Sequence, residues 1–182
     1  MASMGTIRRL RRLEGPGGRI FLAALDHGLP AGPLPGLEAP GVLAERLAGT
    51  PISGIVANPG IVRFLGGIAD RTGLVVHLSA GTILSNHPTS KVLSRLPEDA
   101  FALGADAVSV QIHFGDDSED RMLADAGLVA DEAAALGLPV IAMAYPNAGS
   151  PGATLHAVHA AAELGAVLVQ THYTGSVESF LE

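Results

Sequence analysis

An α/β fold of repeated βα units feeding one parallel sheet is the class the sequence predicts, and three observations predict it. Strand-like apolar runs recur along the chain with helical patterns between them. Several of these runs are nearly continuous in apolar residues rather than alternating, as expected when both faces of a parallel strand are covered. Three helical patterns also close alike, in "ALGADAVSV", "ALGLPVIAM" and "ELGAVLVQ". In each, a glycine just past the helix is followed at once by a strand, which is the joint of a (βα)n chain.

The elements follow in order. The N-terminal segment carries the basic run "RRLRR", Arg8 to Arg12. With only about one turn of helix, it reads as a solvated face rather than a membrane or nucleic-acid patch. It has charge but no apolar stretch behind it, so no signal peptide is expected there. The six strand-like runs are Arg19–Gly28, Ile52–Gly60, Gly73–Gly81, Ala107–Gly115, Leu138–Pro146 and Ala166–Gly175. Helical patterns occupy Pro40–Gly49, Ile61–Asp70, Leu96–Ala105, Asp117–Gly137 and Pro151–Gly165. The fourth of these has Asp117 or Ser118 as a cap, acids in its first turn, and Gly137 just past its end. No linker divides the chain, so residues 1–182 are expected to form a single domain.

Composition narrows the function. Hydrophobic residues make up 48% of the chain, aromatics only 4%, and tryptophan is absent. The core must therefore be Ala, Val, Leu and Ile, which favours layers of helix on strand. A net charge of −7 argues against nucleic acid as a partner, since phosphate binding needs a basic face. Without cysteine there are no disulfides, thiol nucleophiles or thiolate metal sites. No apolar run approaches the roughly 20 residues that span a bilayer, so a cytoplasmic protein with no membrane partner is expected.

In a (βα)n fold the site lies at the C-terminal ends of the strands. Those ends carry Asp26 and His27, then Asn58, His77 with Ser79, His113, Tyr145, and finally Gln170, His172 and Tyr173. Any one of these has a structural explanation: an Asp capping a turn, a Tyr bonding a loop carbonyl, a packed and satisfied His. Polarity at all six ends together points to a catalytic mouth.

The stretches "LDHGLPAGPLPGLE", "HLSAGTIL", "LPEDAFALGADAVSVQIHFG", "DRMLADAGLVADEAAALGLPVIAMAYP", "HAVHAAAELGA" and "THYTGSVESF" occur in the order seen in one family. From about Ile20 onward the chain resembles the archaeal-type class I aldolases, which include fructose-bisphosphate aldolase and 2-amino-3,7-dideoxy-D-threo-hept-6-ulosonate synthase. The resemblance implies a (β/α)8 TIM-barrel fold, an oligomer, a small-molecule substrate, and carbon–carbon bond chemistry through a lysine Schiff base on strand six. It assigns the acid–base roles to Asp26 of "LDHG" and Tyr145 of "YP".

Two departures qualify that expectation. At the family's Schiff-base position this sequence has Gln170, whose amide has no nucleophilic amine; nearby, "ELGAD" becomes "ELGAV" with Val167. The single lysine, Lys91, falls in the loop after the third strand, on the catalytic face, where a relocated Schiff base is geometrically conceivable, but it reads as a solvated loop residue. The second departure is length. A (β/α)8 barrel takes about 250 residues, whereas six strands use this whole chain. Strands seven and eight, whose loops usually hold a substrate phosphate, are not accounted for. The expected fold is thus about six βα units, incomplete or rearranged relative to (β/α)8, with two unpaired edges that favour a homo-oligomer. The sequence leaves open whether the chain is a fragment, pairs with another copy, or closes differently.

The expected function is aldolase-like, acting on carbon–carbon bonds of a carbonyl or polyol-type small molecule without a strand-six Schiff base. Asp26, Tyr145 and His172 are the catalytic candidates; His27, His77, His113, Gln170 and Tyr173 are the substrate-binding ones. The alternative is a repurposed enzyme of non-covalent cyclisation or isomerisation, or a silent binding protein. His77, His113 and His172 offer three imidazoles that could hold Zn²⁺ with one open position. Their spacing resembles no tight ligand motif, so neither a metal nor another cofactor is expected.

Overall fold

The computed structural model describes residues 3–66 and 72–175. In chain order its elements are α1 (Met4–Leu13), β1 (Leu22–Ala24), α2 (Gly28–Ala31), α3 (Pro40–Leu47), β2 (Gly54–Ala57), α4 (Pro59–Val62), β3 (Gly73–His77), β4 (Ser79–Ala80), β5 (Val92–Leu93), α5 (Pro97–Ala102), β6 (Ala107–Phe114), α6 (Glu119–Leu136), β7 (Val140–Pro146), α7 (Pro151–Glu163) and β8 (Leu168–Gln170). Each of the six apolar runs supplies one strand of a parallel sheet in the order β1-β2-β3-β6-β7-β8. This is an arc of a (β/α) barrel, as expected. The strand order follows the chain, so each neighbour is reached by a crossover. Of the helix expected over Ile61–Asp70, the described residues form only the end of α4, and residues 67–70 lie outside the described residues.

The αβ joints have a local cause. Gly104, Gly137 and Gly165 adopt φ of +84°, +64° and +101°, a region that side chains disfavour. Gly137 closes α6 with its N–H on the carbonyls of Ala133 and Ala134. At the other end of α6, Ser118 stands at the N-cap but makes no side-chain cap. Its hydroxyl donates to Asp116 instead.

Alternation splits the sheet into two faces. Ile55, Leu74, Val76, Val108, Val110, Ile112 and Val140 pack with residues of α5 and α6 such as Ala100, Ala126 and Val129. Val56, Val75, Ala107, Ile141 and Met143 face the other way and pack around Leu13. The second face is the inside of the arc.

Leu13 corrects the reading of the basic run. The segment is a ten-residue helix, opened by Ser3, whose Oγ accepts the Thr6 N–H at 3.1 Å. It lies across the N-terminal ends of the strands. Leu13 is fully buried there, above Gly54 and Gly73. A Cβ on Gly73 would stand 2.5 Å from Leu13 Cδ2 and 3.0 Å from the Arg12 carbonyl oxygen, so glycine at that strand start lets the helix seat closely. Arg12 Nε pairs with Asp106 Oδ1 at 2.9 Å, and Asp106 Oδ2 accepts the Leu74 N–H at 3.0 Å. Arg9 lies over the Phe101 ring at 5.2 Å and donates to the Gly137 carbonyl at 3.2 Å. Arg8, Arg11 and Arg12 are exposed, as a solvated face requires, but Arg12 and Arg9 also fasten the helix to the sheet.

Candidate active site

The side-chain alternation that buries Leu22, Val56, Val75, Ala107, Ile141 and Leu168 inside the arc carries on to the strands' C-terminal ends. Counting on by twos gives Asp26, Asn58, His77, Gln111 and His113, Tyr145, and Gln170 with His172. The register sets them in layers: His77 opposite Ser109, Gln111 opposite Met143 and Met143 opposite Gln170, then His113 opposite Tyr145. The polar strand ends thus share one concave face.

On the β6–β8 side the centre is Tyr145. Gln170 Nε2 donates to Tyr145 Oη at 3.0 Å. The ring stands between two imidazoles, with centroids 4.8 Å from His172 and 5.7 Å from His113. Burial pushes the phenol above its usual pKa, against a smaller opposing effect of the Gln170 hydrogen bond, and the charge of Asp26 adds to the rise. Tyr145 therefore keeps its proton at neutral pH and is a donor. Gln111 Nε2 lies 2.8 Å from His113 Nε2. An amide nitrogen only donates, so that imidazole nitrogen accepts and the ring is neutral. Burial and the charge of Lys91 push the His113 pKa down in the same sense.

On the β1–β3 side the groups are more enclosed. Asp26 follows β1, and its side chain is 14% exposed. Its Oδ1 is buried without a hydrogen bond, 3.8 Å from His27 Nδ1. His77 is buried and shares a 2.9 Å hydrogen bond between Nδ1 and Ser109 Oγ. Burial lowers its pKa, the Asp26 charge opposes that, and Lys91 reinforces it. Asn58 and Ser79 serve the frame: Asn58 Nδ2 donates to the Asp26 carbonyl at 2.7 Å, and Ser79 Oγ accepts the Gln111 N–H at 2.9 Å.

Lys91 is not the solvated loop residue its sequence context suggested. The β4–β5 hairpin turns the loop back onto the end of β3, and Lys91 is only 6% exposed. It lines a small cavity with Asp26, His77, Ser79 and Gln111.

Two candidates fall outside the cluster. His27 follows Asp26 directly and so turns away, with 58% of its side chain exposed. Tyr173 follows His172 and is 70% exposed. Gln111, Ser109 and Lys91 join the site without having been singled out as binding residues. The first two could have been found by stepping back by twos from His113. Among the described residues, no group of three His, Asp or Glu side chains could hold a metal ion.

Parallel strands with polar side chains gathered at their C-terminal ends define an α/β-barrel architecture. Residues 20–181 match the family described as DeoC/LacD family aldolase, and the chain belongs to that family. It is 37% identical over 171 residues to 2-amino-4,5-dihydroxy-6-oxo-7-(phosphonooxy)heptanoate synthase of Streptomyces griseus, a match spanning 90% of this chain and 62% of the relative. It is 36% identical over 187 residues to 2-amino-3,7-dideoxy-D-threo-hept-6-ulosonate synthase of Halobacterium salinarum, covering 99% of this chain and 69% of that one. Among solved structures, a Schiff base-forming fructose-1,6-bisphosphate aldolase superposes with a TM-score of 0.86 at 26% identity, covering 96% of this chain and 74% of that one. An archaeal fructose-1,6-bisphosphate aldolase whose catalytic Lys is covalently bound to a carbinolamine intermediate follows at 0.83 and 26%, covering 96% and 73%.

Proposed function

We propose that the chain, acting as one domain over residues 1–182 and as a homo-oligomer in the cytoplasm, makes or breaks a carbon–carbon bond beside the carbonyl of a small polyol-type molecule. The relatives' names support a phosphorylated sugar-like substrate. Tyr145 is the acid: a phenol held protonated by burial and placed on the inner face donates to the enolate that develops as the bond cleaves. Asp26 is the base that receives the hydroxyl proton as the bond cleaves. His172, against the Tyr145 ring, relays the proton to solvent, and His113, His77 and Gln170 contact the substrate's oxygens. In this reading His27 and Tyr173 touch substrate only from the rim. Gln170 supplies a hydrogen bond to Tyr145 but no amine, so no Schiff base forms at that strand position.

The observation that carries this reading is the buried, hydrogen-bond-free Oδ1 of Asp26 on the inner face that also holds Tyr145. An unpartnered buried carboxylate oxygen is costly and is retained where a substrate will occupy it. The test is to follow condensation of dihydroxyacetone phosphate with short aldehydes, and cleavage of the products, by wild type and Asp26→Asn. Loss of about a hundredfold or more in kcat in the variant is expected. Turnover equal to wild type removes Asp26 from the mechanism. Isomerised or cyclised product without carbon–carbon change favours the non-covalent alternative, for which Gln170 in place of an amine is the supporting observation. Binding without turnover favours a silent binding protein.

A further inference from the structure

We propose that Lys91 is the amine that captures the substrate's carbonyl in this chain. The proposal rests on the reading above that the site handles a small carbonyl compound.

Three observations converge on it. Lys91 is the only lysine among 182 residues. It is withdrawn from water onto the site face, where its Nζ makes one hydrogen bond, to the Pro88 carbonyl at 2.8 Å. An ammonium has three donors, so a tie to one carbonyl is a poor reason to bury it. The fold also makes room for it. A Cβ on Gly81 would stand 3.0 Å from Lys91 Cδ, 3.2 Å from Nζ and 2.6 Å from the Ser90 carbonyl oxygen. Gly81 has no unusual φ to explain it, so its glycine is there for the close approach of Ser90 and Lys91, which lead into β5.

The surroundings suit an amine better than an anion-binding cation. The cavity shared with Asp26, His77 and Gln111 measures about 20 Å³. That is the scale of one water, enough for a carbonyl oxygen but not for a phosphate. Asp26 and Asp116 lie close enough to influence the neighbouring charges, and they would repel an anion. Desolvation pushes the ammonium pKa down, opposed in part by Asp116, which raises the share of neutral, nucleophilic amine.

The step balances without an added redox partner. Neutral Nζ attacks the carbonyl carbon, a C–N bond forms, and the π pair moves to oxygen, which takes a proton. The resulting carbinolamine, with the nitrogen proton lost and its hydroxyl protonated, expels water and leaves an iminium. Amine, carbonyl and one proton become iminium and water. Asp26 and His77, in the same cavity, are the groups placed to pass those protons.

The experiment uses the full chain with glycolaldehyde, dihydroxyacetone and dihydroxyacetone phosphate, each followed by borohydride, intact mass and peptide mapping. The expected result is one reduced adduct on Lys91, its formation rate rising with pH to a midpoint below the ordinary lysine value of about 10.4. Lys91→Met should abolish the adduct with the thermal midpoint retained. Gly81→Ala should lower the trapping rate several-fold while Lys91 is still present. No adduct on Lys91 with any of the three probes in folded protein overturns the proposal, as does labelling confined to the N-terminal amine or unchanged by Gly81→Ala. The two readings separate cleanly. Trapping at Lys91 without any carbon–carbon turnover upholds the amine and sinks the aldolase reading. Turnover that persists in Lys91→Met does the reverse.

Discussion

The two ends of the parallel strands are built from the same alternation and serve opposite purposes. At the N-terminal end the inner positions are Gly54, Gly73 and small apolar residues, and α1 lays Leu13 into the space they leave. Its one buried charge, Asp106, is answered by Arg12 and by the Leu74 amide. At the C-terminal end the inner positions are Asp26, His77, Tyr145 and Gln170, and satisfaction is incomplete: Asp26 Oδ1 has no hydrogen bond and Lys91 has one. A sheet can carry unsatisfied polar groups at one end because the other end is filled and paired. Stability and chemistry are therefore separable by position along the strand, and substitutions at the two ends should report different quantities.

The largest expected effect is on the closed end. Leu13→Ala removes a side chain buried among Val56, Val75, Ala107, Ile141 and Met143. The cost should be about 2–5 kcal/mol, transfer plus cavity, read as a lower urea midpoint. A loss under about 0.5 kcal/mol, the size of an ordinary surface change, would mean that α1 rests on the sheet without closing it.

Tyr145→Phe is the counterpart at the open end. It deletes the phenolic proton and the bond from Gln170 while keeping the ring between His113 and His172. Turnover should fall about a hundredfold or more, as for loss of a general acid, with stability reduced by no more than about 1.5 kcal/mol. Equal turnover with a large stability loss would reverse the assignment and make Tyr145 a core residue.

Much of this contrast was legible in the sequence, and what was not has physical causes. The six strands and their glycine joints are local: an apolar run and a residue tolerating positive φ declare themselves. The polar strand ends were visible too, but their facing follows parity. Asp26 and Gln170 turn inward, so His27 and Tyr173, one and three residues on, must turn outward. The role of α1 was hidden because a basic run looks solvated until a distant Asp106 and Gly73 are brought beneath it. Lys91 was hidden for the same reason: its burial depends on the β4–β5 pairing and on the slot at Gly81, contacts that no nearby pattern encodes.

The smallest effect sharpens the comparison through pH. Burial holds the pKa of His77 below that of an exposed imidazole, and His113 is lowered likewise. The unfolded chain therefore binds more protons than the folded one once the pH drops below the ordinary histidine value of about 6.5. Stability is fully present above that value and is lost as pH falls toward the folded-state pKa. Asp116 works in a different window. Hydrogen bonds from Ser118 and Thr89 bring it down to about 2, so its contribution is lost only in the acid range below its ordinary carboxylate pKa. A comparison of urea midpoints at pH 7.5 and 5.5 thus isolates the histidines. Wild type should be less stable at the lower pH. His77→Asn, which offers Ser109 an amide atom where Nδ1 stood, should shrink that difference. Leu13→Ala lowers both midpoints but should leave their difference as in wild type, because the closed end contains no titrating imidazole. If His77→Asn kept the full pH difference, the neutral imidazole would not be a cost carried by the open end, and the division of labour along the strands would lose its electrostatic half.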